Sequence, residues 1–355
     1  MRVAVVTTSF PRSAEDPSGH FVLSSSRALA EAGHEVHVIA PGGSLLDRPR
    51  ERDGLVVHRA GGGDLFAWPG AIARAKESPL RLALAAPFGA GVLVRLREIG
   101  LIDRAVAHWI VPSAFPLLLG VTASIEVVAH GADVRFLLAS PRLVRERIVK
   151  ALVDRGAHFT FAAAELLGAL RHALSPALSA ALSRLAHVEP PPIDLPDVRE
   201  HAAALRAGLG LAAGEMLAVS VGRLVPTKRV DLAIDAVRAL GGGARLVVIG
   251  DGPEQAALAK RADGLGASVQ LLGALPRREA LAWLAAADVL VHPSEVEAAP
   301  TVIREARALG VPVVACDAGD VVAWARDDQG IAVVAGAAPA IAAALAALRH
   351  RRDQA

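Results

Sequence analysis

The 355-residue chain has no tyrosine, no asparagine, one cysteine and only four lysines (Lys76, Lys150, Lys228 and Lys260) beside 34 arginines. Each shortage excludes something. A lone Cys316 builds neither a disulfide framework nor a thiolate zinc site. Without tyrosine almost nothing titrates between histidine and lysine, so a formal net charge of +2 suffices to lift the sequence pI to about 9.1. The high pI therefore does not point to nucleic acid. Long apolar runs are also scarce. The opening MRVAVVTT holds only Val3 to Val6 and no small-residue cleavage site, so it reads as a first strand, with a cytoplasmic location as the expectation. Ala105 to Ile125 approaches spanning length, but its His108, Pro112 and Pro116 fit strand, turn and helix better than a membrane helix.

What is present is apolar and alternating. Hydrophobic residues make up 53% and charged residues 21%, which suits two globular domains at this length. Short β-rich runs alternate with alanine-rich helical stretches, the pattern of parallel sheets with crossover helices. The first set is Val3–Thr7, Glu35–Ala40, Leu55–Ala60, Ala105–His108, Glu126–His130 and Phe159–Ala163; the second is Met216–Val221, Arg245–Ile249, Val269–Leu272, Val289–His292, Val313–Cys316 and Ile331–Val334. Between them Val188–Val198 carries four prolines, which neither a helix nor a central strand accommodates. The expected organisation is a first domain over 1–189, a linker over 190–198 and a second domain over 199–355. Two doubly wound α/β halves bind ligands where loops leave the carboxyl ends of their strands.

Three stretches carry chemistry. After Met216–Val221 comes Gly222 to Arg229, GRLVPTKR, and then an amphipathic helix expected from near Val230; Pro226 marks a helix start and Arg223 and Lys228 bring two cations to that end. That combination suits an anion such as phosphate, and equally a crossover turn with surface cations. IGDGP, Ile249 to Pro253, is half of a dinucleotide fingerprint with Gln255 in place of the third glycine; Gly252 serves either a close ligand approach or a tight turn. The run His292 to Asp317 sets Glu297 on a post-strand loop and Glu305 about one turn into the helix that begins near Pro300 and Thr301. A carboxylate accepts both hydrogens of a vicinal diol, so the pair suits a ribose and a sugar, or else a solvated loop charge and a first-turn helix stabiliser.

Together these residues resemble the retaining, nucleotide-sugar-dependent glycosyltransferases of family 4, which have the GT-B fold: two facing Rossmann-like parallel-sheet domains with a cleft between them. The matching pieces are VGRLVPTKR, the Pro293–Ser294 pair separated by two residues from Glu297, the seven residues separating Glu297 from Glu305, and the LGVPVVA that follows. In the first half they are the loop ending in Gly19, EAGHEVHVIAP over Glu31–Pro41, His108 with Trp109, and HGADV over His130–Val134. The resemblance implies that Arg223 and Lys228 neutralise the donor diphosphate, that Glu305 holds the ribose, and that Glu297 with the loop Ala298 to Thr301 contacts the transferred sugar. It implies that His130 meets that sugar, and that Gly19, Gly222 and Gly252 let backbone approach the donor. A metal-binding Asp-x-Asp motif does not occur, so no metal or other cofactor is expected, and front-face attack would account for retention, with Glu297 as covalent nucleophile the alternative. Departures from the family pattern are Arg229 and Ala298–Ala299, Asp320 after Gly319, and a last helix near Ala340–Arg349 without the family's crossover helix after it.

Acceptors are expected on the first domain, at Ser9–His20, Gly61–Gly70 and His108–Ser113, with His20, His108 and Trp109 as candidates. The acceptor is a saccharide, a lipid or a small molecule. Arg142, Arg145, Arg147 and Lys150, together with Arg95, Arg97 and the apolar Leu82–Val94, suggest peripheral contact with an anionic membrane or simply a solvated face. Two other functions fit the same residues: a nucleotide-sugar epimerase, and a non-catalytic sugar-nucleotide-binding subunit.

Overall fold

Valine-rich runs that are apolar at successive positions must be covered on both faces, and the strands of this protein lie that way. The computed structural model describes residues 1–13, 16, 19–67 and 70–354. Parts of two candidate acceptor loops, Ala14, Glu15, Pro17 and Ser18 in one and Trp68 and Pro69 in the other, lie outside the described residues. The chain forms two compact units that divide between Pro192 and Ile193.

The first unit holds β1 (Arg2–Val6), β2 (Glu35–Ala40), β3 (Arg50–Arg52), β4 (Leu55–Arg59), β5 (Arg104–His108), β6 (Ser124–Ala129), β7 (His158–Phe161) and β8 (Ala186–Val188). Their order across the sheet is β3-β4-β2-β1-β5-β6-β7-β8, parallel except for the β3–β4 hairpin. The six runs expected here are all strands. β3 and β8 were not expected; β8 ends at Val188, the first residue of the proline-rich stretch. The chain leaves β1 in one direction and resumes at β5 in the other, so the switch point lies between β1 and β5.

The second unit holds β9 (Met216–Val221), β10 (Ala244–Ile249), β11 (Val269–Gly273), β12 (Val289–His292), β13 (Val313–Cys316) and β14 (Ile331–Val334), in the parallel order β11-β10-β9-β12-β13-β14. Its switch point is between β9 and β12. Side chains alternate across the sheet: Met216, Ala218, Val289 and Val291 pack with Ala233, Val237, Ile341 and Leu345 on one face. Leu217 and Val219 meet Trp283 and Ala202 on the other. The last helix, Ala338–Asp353, packs within this unit on the helix Val230–Ala239.

Two arginines assigned to a membrane face are instead buried. Arg95 donates to the carbonyls of Arg59 (2.9 Å), Leu45 (3.1 Å) and Asp47 (2.9 Å) and to Glu98 Oε2 (2.7 Å), pinning the loop after β2. Arg145 donates to Ala173 O (2.8 Å) and Ser140 O (3.1 Å), satisfying carbonyls just past the ends of two helices. Arg142 and Lys150 pair with Glu146 and Asp154. Arg142 and Lys150 nevertheless stay exposed, as do Arg97 and Arg147, so of the six cations only Arg95 and Arg145 are withdrawn from the surface. The segment Pro79–Ile99 is long and apolar enough to cross a membrane by length and composition, yet Phe88, Val92, Arg95, Leu96 and Ile99 bury one side of it in the first unit. Ala105–Ile125 is strand, turn, helix and strand.

The packing of that segment is tight at Gly91, where a Cβ would stand 2.1 Å from Ala60 O. Gly91→Ala should therefore destabilise the protein by about 1–3 kcal/mol through forced backbone movement. Gly168→Ala, in a helix with nothing within 4 Å of the added carbon, should stabilise by about 0.5–1 kcal/mol. Urea unfolding of both variants checks the contrast, and equal effects would show that the close approach is not a constraint.

Candidate functional site

In the second unit the loops leaving β9 and β12 are stitched together beside the switch point. Glu295 N and the buried Ser294 hydroxyl both donate to Thr227 O, at 3.0 and 3.1 Å. Pro226–Lys228 is a single 3₁₀ turn and the α-helix begins at Val230, as expected. The stitch brings Lys228 Nζ onto Glu297 Oε1, and His292 Nε2, from the last position of β12, meets the same oxygen at 2.8 Å. The side chains of Lys228, Glu297 and His292 are 20%, 12% and 5% exposed. Burial works to raise the Glu297 carboxyl, but the His292 hydrogen bond and the Lys228 charge outweigh it and hold the group well below the usual carboxylate range.

Arg229 follows in the left-handed region, at φ 49°. This is the conformation glycine adopts freely, and an L side chain there costs about 1–2 kcal/mol. Its guanidinium bonds to Asp231 and lies 3.6 Å from Glu295, contacts that offset the strain. Arg223 is exposed on the same loop. Gly250 and Gly252 serve close loop packing: a Cβ would stand 1.8 Å from Gly222 O and 2.3 Å from Leu224 O, respectively. The close approach of the two post-strand loops accounts for both glycines.

Glu305 is buried on the helix Thr301–Ala308, capped by Pro300, which has no N–H to offer a ligand. Arg277, from the start of the helix Arg277–Ala286, donates to Glu305 Oε1 at 2.6 Å. Gly319, at φ +60°, is required because a Cβ would stand 2.3 Å from Ala298 O. Asp320 needs no such freedom: at φ −83° it precedes a helix, and its N–H donates to Ala298 O at 3.1 Å. The second glycine common in family 4 is therefore dispensable here.

In the first unit a cluster of rings lies beyond the ends of β5 and β6. His130 lies 4.7 Å from Phe21, 4.9 Å from Trp109 and 5.1 Å from His108 between ring centroids, the last nearly parallel. His108 Nδ1 and His130 Nε2 are 2.9 Å apart. Burial pushes His108 down to about 4 and His130 well below its usual value, so both are neutral near pH 7, and one ring supplies the N–H and the other the lone pair. His108, 3% exposed, is thus a partner of His130 and not a surface for stacking a sugar. Trp109 sits at φ 72°, a conformation rare for bulky residues. His20 opens the helix His20–Glu31 directly after Gly19, whose added Cβ would stand 2.4 Å from Ser9 O. Asp133, buried, accepts N–H from Ile110 (2.7 Å) and Gly131 (3.0 Å) and so ties the two post-strand loops together.

Sequence reasoning gave no role to His292, Arg277, Asp133 or Ser294. Asp133 and Ser294 stood inside quoted motifs, and His292 lies five residues before Glu297. Arg277 had no local signal. Among the described residues no group of three or more histidine, cysteine or acidic side chains is placed to hold a metal.

Residues 202–355 match the family described as "Glycosyl transferases group 1". The Bacillus subtilis protein TuaC, whose name assigns it provisionally to teichuronic acid biosynthesis as a glycosyltransferase, is 34% identical over 148 residues, 42% of this chain and 36% of that protein. This chain therefore matches only about a third of that relative's length. Among solved structures, sucrose-phosphate synthase from Thermosynechococcus elongatus superposes with a TM-score of 0.72 at 20% identity, over 98% of this chain and 89% of that one. The Anabaena protein HepE in complex with UDP gives 0.69 at 18% identity, over 99% and 91%. The fold is GT-B.

Two outcomes follow from the geometry. Lys228→Ala takes the ammonium away from a carboxylate that is only 12% exposed and should cost about 1–3 kcal/mol, and adding Glu297→Ala should restore part of that loss; a double variant as unstable as the sum of the singles would show the pair to be uncoupled. For His108, the unfolded chain takes up a proton below about pH 6.5 while the folded one refuses it until about pH 4. Stability is therefore lost as pH falls through that window, by about 2 kcal/mol at pH 5 from this group. Buried Asp133, pushed up, opposes the trend. Urea unfolding at pH 7 and pH 5, followed by circular dichroism, should show a smaller loss in His108→Gln than in the unmodified protein.

Proposed function

We propose that this chain, whose residues 202–355 belong to the group 1 glycosyl transferases, transfers a hexose from a UDP- or GDP-sugar to a saccharide or lipid acceptor with retention and without a metal. The observation that carries the reading is the ammonium of Lys228 on the carboxylate of Glu297 beside the switch point of the second sheet, where α/β folds bind ligands. Breaking a glycosyl phosphate builds negative charge on the departing diphosphate and positive charge on the ring. Lys228 and Arg223 would stabilise the first, and Glu297 would hold hydroxyls of the transferred sugar. In the absence of substrate Lys228 and Glu297 neutralise each other, so a diphosphate recruits the ammonium by competing with a carboxylate already in place. Glu305 would take the ribose diol. His130, held neutral, would offer the sugar a hydrogen bond without adding charge near a cationic transition state. The HepE complex with UDP is consistent with a uridine donor.

A thermal-shift panel of UDP- and GDP-sugars should single out one donor by mass action. Turnover of that donor should persist in EDTA and fall about 10²–10³-fold in Lys228→Ala and in Glu297→Ala. Abolition by EDTA with rescue by a divalent ion would overturn metal independence. Conversion of donor to an epimer with no acceptor present would move the protein to the epimerase class.

A further inference from the structure

Arg277 does more than neutralise Glu305. While Nη1 donates to Glu305 Oε1 at 2.6 Å, Nη2 of the same guanidinium donates to the backbone carbonyl of Asp194 at 2.8 Å. Asp194 is the second residue of the unit that begins at Ile193. Its neighbour Arg278 donates to Asp197 O at 3.3 Å, so adjacent arginines at one helix start grip two carbonyls of the entering segment. We infer that Arg277 is a positioning residue for the donor's ribose: it fixes the Glu305 carboxylate that takes the diol and fastens it to the segment entering the second unit. The inference rests on the ribose role proposed for Glu305.

The physical case has three parts. Glu305 is 7% exposed, and a carboxylate buried to that degree is costly unless a cation meets it. Arg277 occupies one acceptor position on Oε1, and a carboxylate offers about four, so Oε2 and the remaining position on Oε1 can receive two vicinal hydroxyls. A guanidinium is a rigid planar fork, so binding two acceptors with its two terminal nitrogens fixes where they stand relative to each other, which the single ammonium of lysine does not do. Glu305 sits on a helix of only eight residues, Thr301–Ala308. Arg277 thus ties this short helix to the backbone of the entering segment.

The test is calorimetric titration of the full chain with UDP and GDP, and with their 2′,3′-dideoxy counterparts, in Arg277→Ala, Arg277→Lys, Glu305→Ala and the Ala/Ala double variant. For the nucleotide that the unmodified protein binds, Arg277→Ala should weaken binding about tenfold, the scale of a charged hydrogen bond. Arg277→Lys should recover part of this, and the double variant should bind no more weakly than Glu305→Ala. The dideoxy nucleotide, which lacks the diol, should bind Arg277→Ala and the unmodified protein equally; a loss of the same size there would make Arg277 merely structural and overturn the inference. In turnover KM for the donor should rise while kcat holds. If Glu305→Ala weakens binding and Arg277→Ala does not, the inference fails while the donor reading stands. If Glu305→Ala binds normally, or neither nucleotide binds the unmodified protein, the donor reading fails and takes the inference with it. Should Arg277→Ala not fold, Arg277→Gln, which reaches without charge, carries the same comparison.

Discussion

A parallel strand covered on both faces has no place for a charge until it ends. That constraint organises both units. Strands β1, β9, β12 and β13 are buried almost throughout, so polar chemistry is confined to the loops that leave their carboxyl ends. Where the strand order reverses, two such loops diverge, and a hollow opens whose lining need not be apolar. Lys228, His292 and Glu297 line that place in the second unit. The paired histidines occupy the corresponding edge in the first, where His108 ends β5 and His130 follows β6.

Within those loops charge is handled by pairing. Glu297 is held between an ammonium and an imidazole, Glu305 by Arg277, and Arg229 by Asp231 and Glu295. Such pairs keep buried ionic groups from being prohibitively costly. They also hold the loops after β9 and β12 against each other. The glycines belong to the same design. Gly250, Gly252 and Gly319 let neighbouring loops pack backbone to backbone, so the charged side chains stand on a closely fitted floor.

Much of this was legible in the sequence, and the exceptions have identifiable causes. Twelve strands announced themselves because short apolar β-rich runs alternating with alanine-rich stretches leave few alternatives. β3 did not, since Arg50, Glu51 and Arg52 hold no apolar residue, and β8 was hidden against the prolines that follow it. Glu297 and Glu305 were visible through their spacing. Their partners were not, because Lys228 is 69 positions from Glu297 and Arg277 is 28 from Glu305, and such pairings are set by topology. Arg95 and Arg145 were misread as surface charges although a signal existed. Arg95 shares a helical stripe with Phe88, Val92 and Leu96, and Arg145 shares one with Val149 and Leu152. An arginine in phase with an apolar stripe is better read as a buried donor to carbonyls than as a solvated cation.

The ring cluster of the first unit has an optical consequence. Because the chain contains no tyrosine, its near-ultraviolet emission is dominated by four indoles: Trp68, Trp109, Trp283 and Trp324, two before and two after the proline-rich stretch. Trp109 rests 4.9 Å from the His130 imidazole and Trp283 is buried behind the second sheet. Anything that protonates, displaces or contacts His130 alters the quenching of one indole while leaving Trp283 in its packed surroundings. The protein therefore carries an intrinsic fluorophore at its ring cluster and an internal reference in its core, readable without a label.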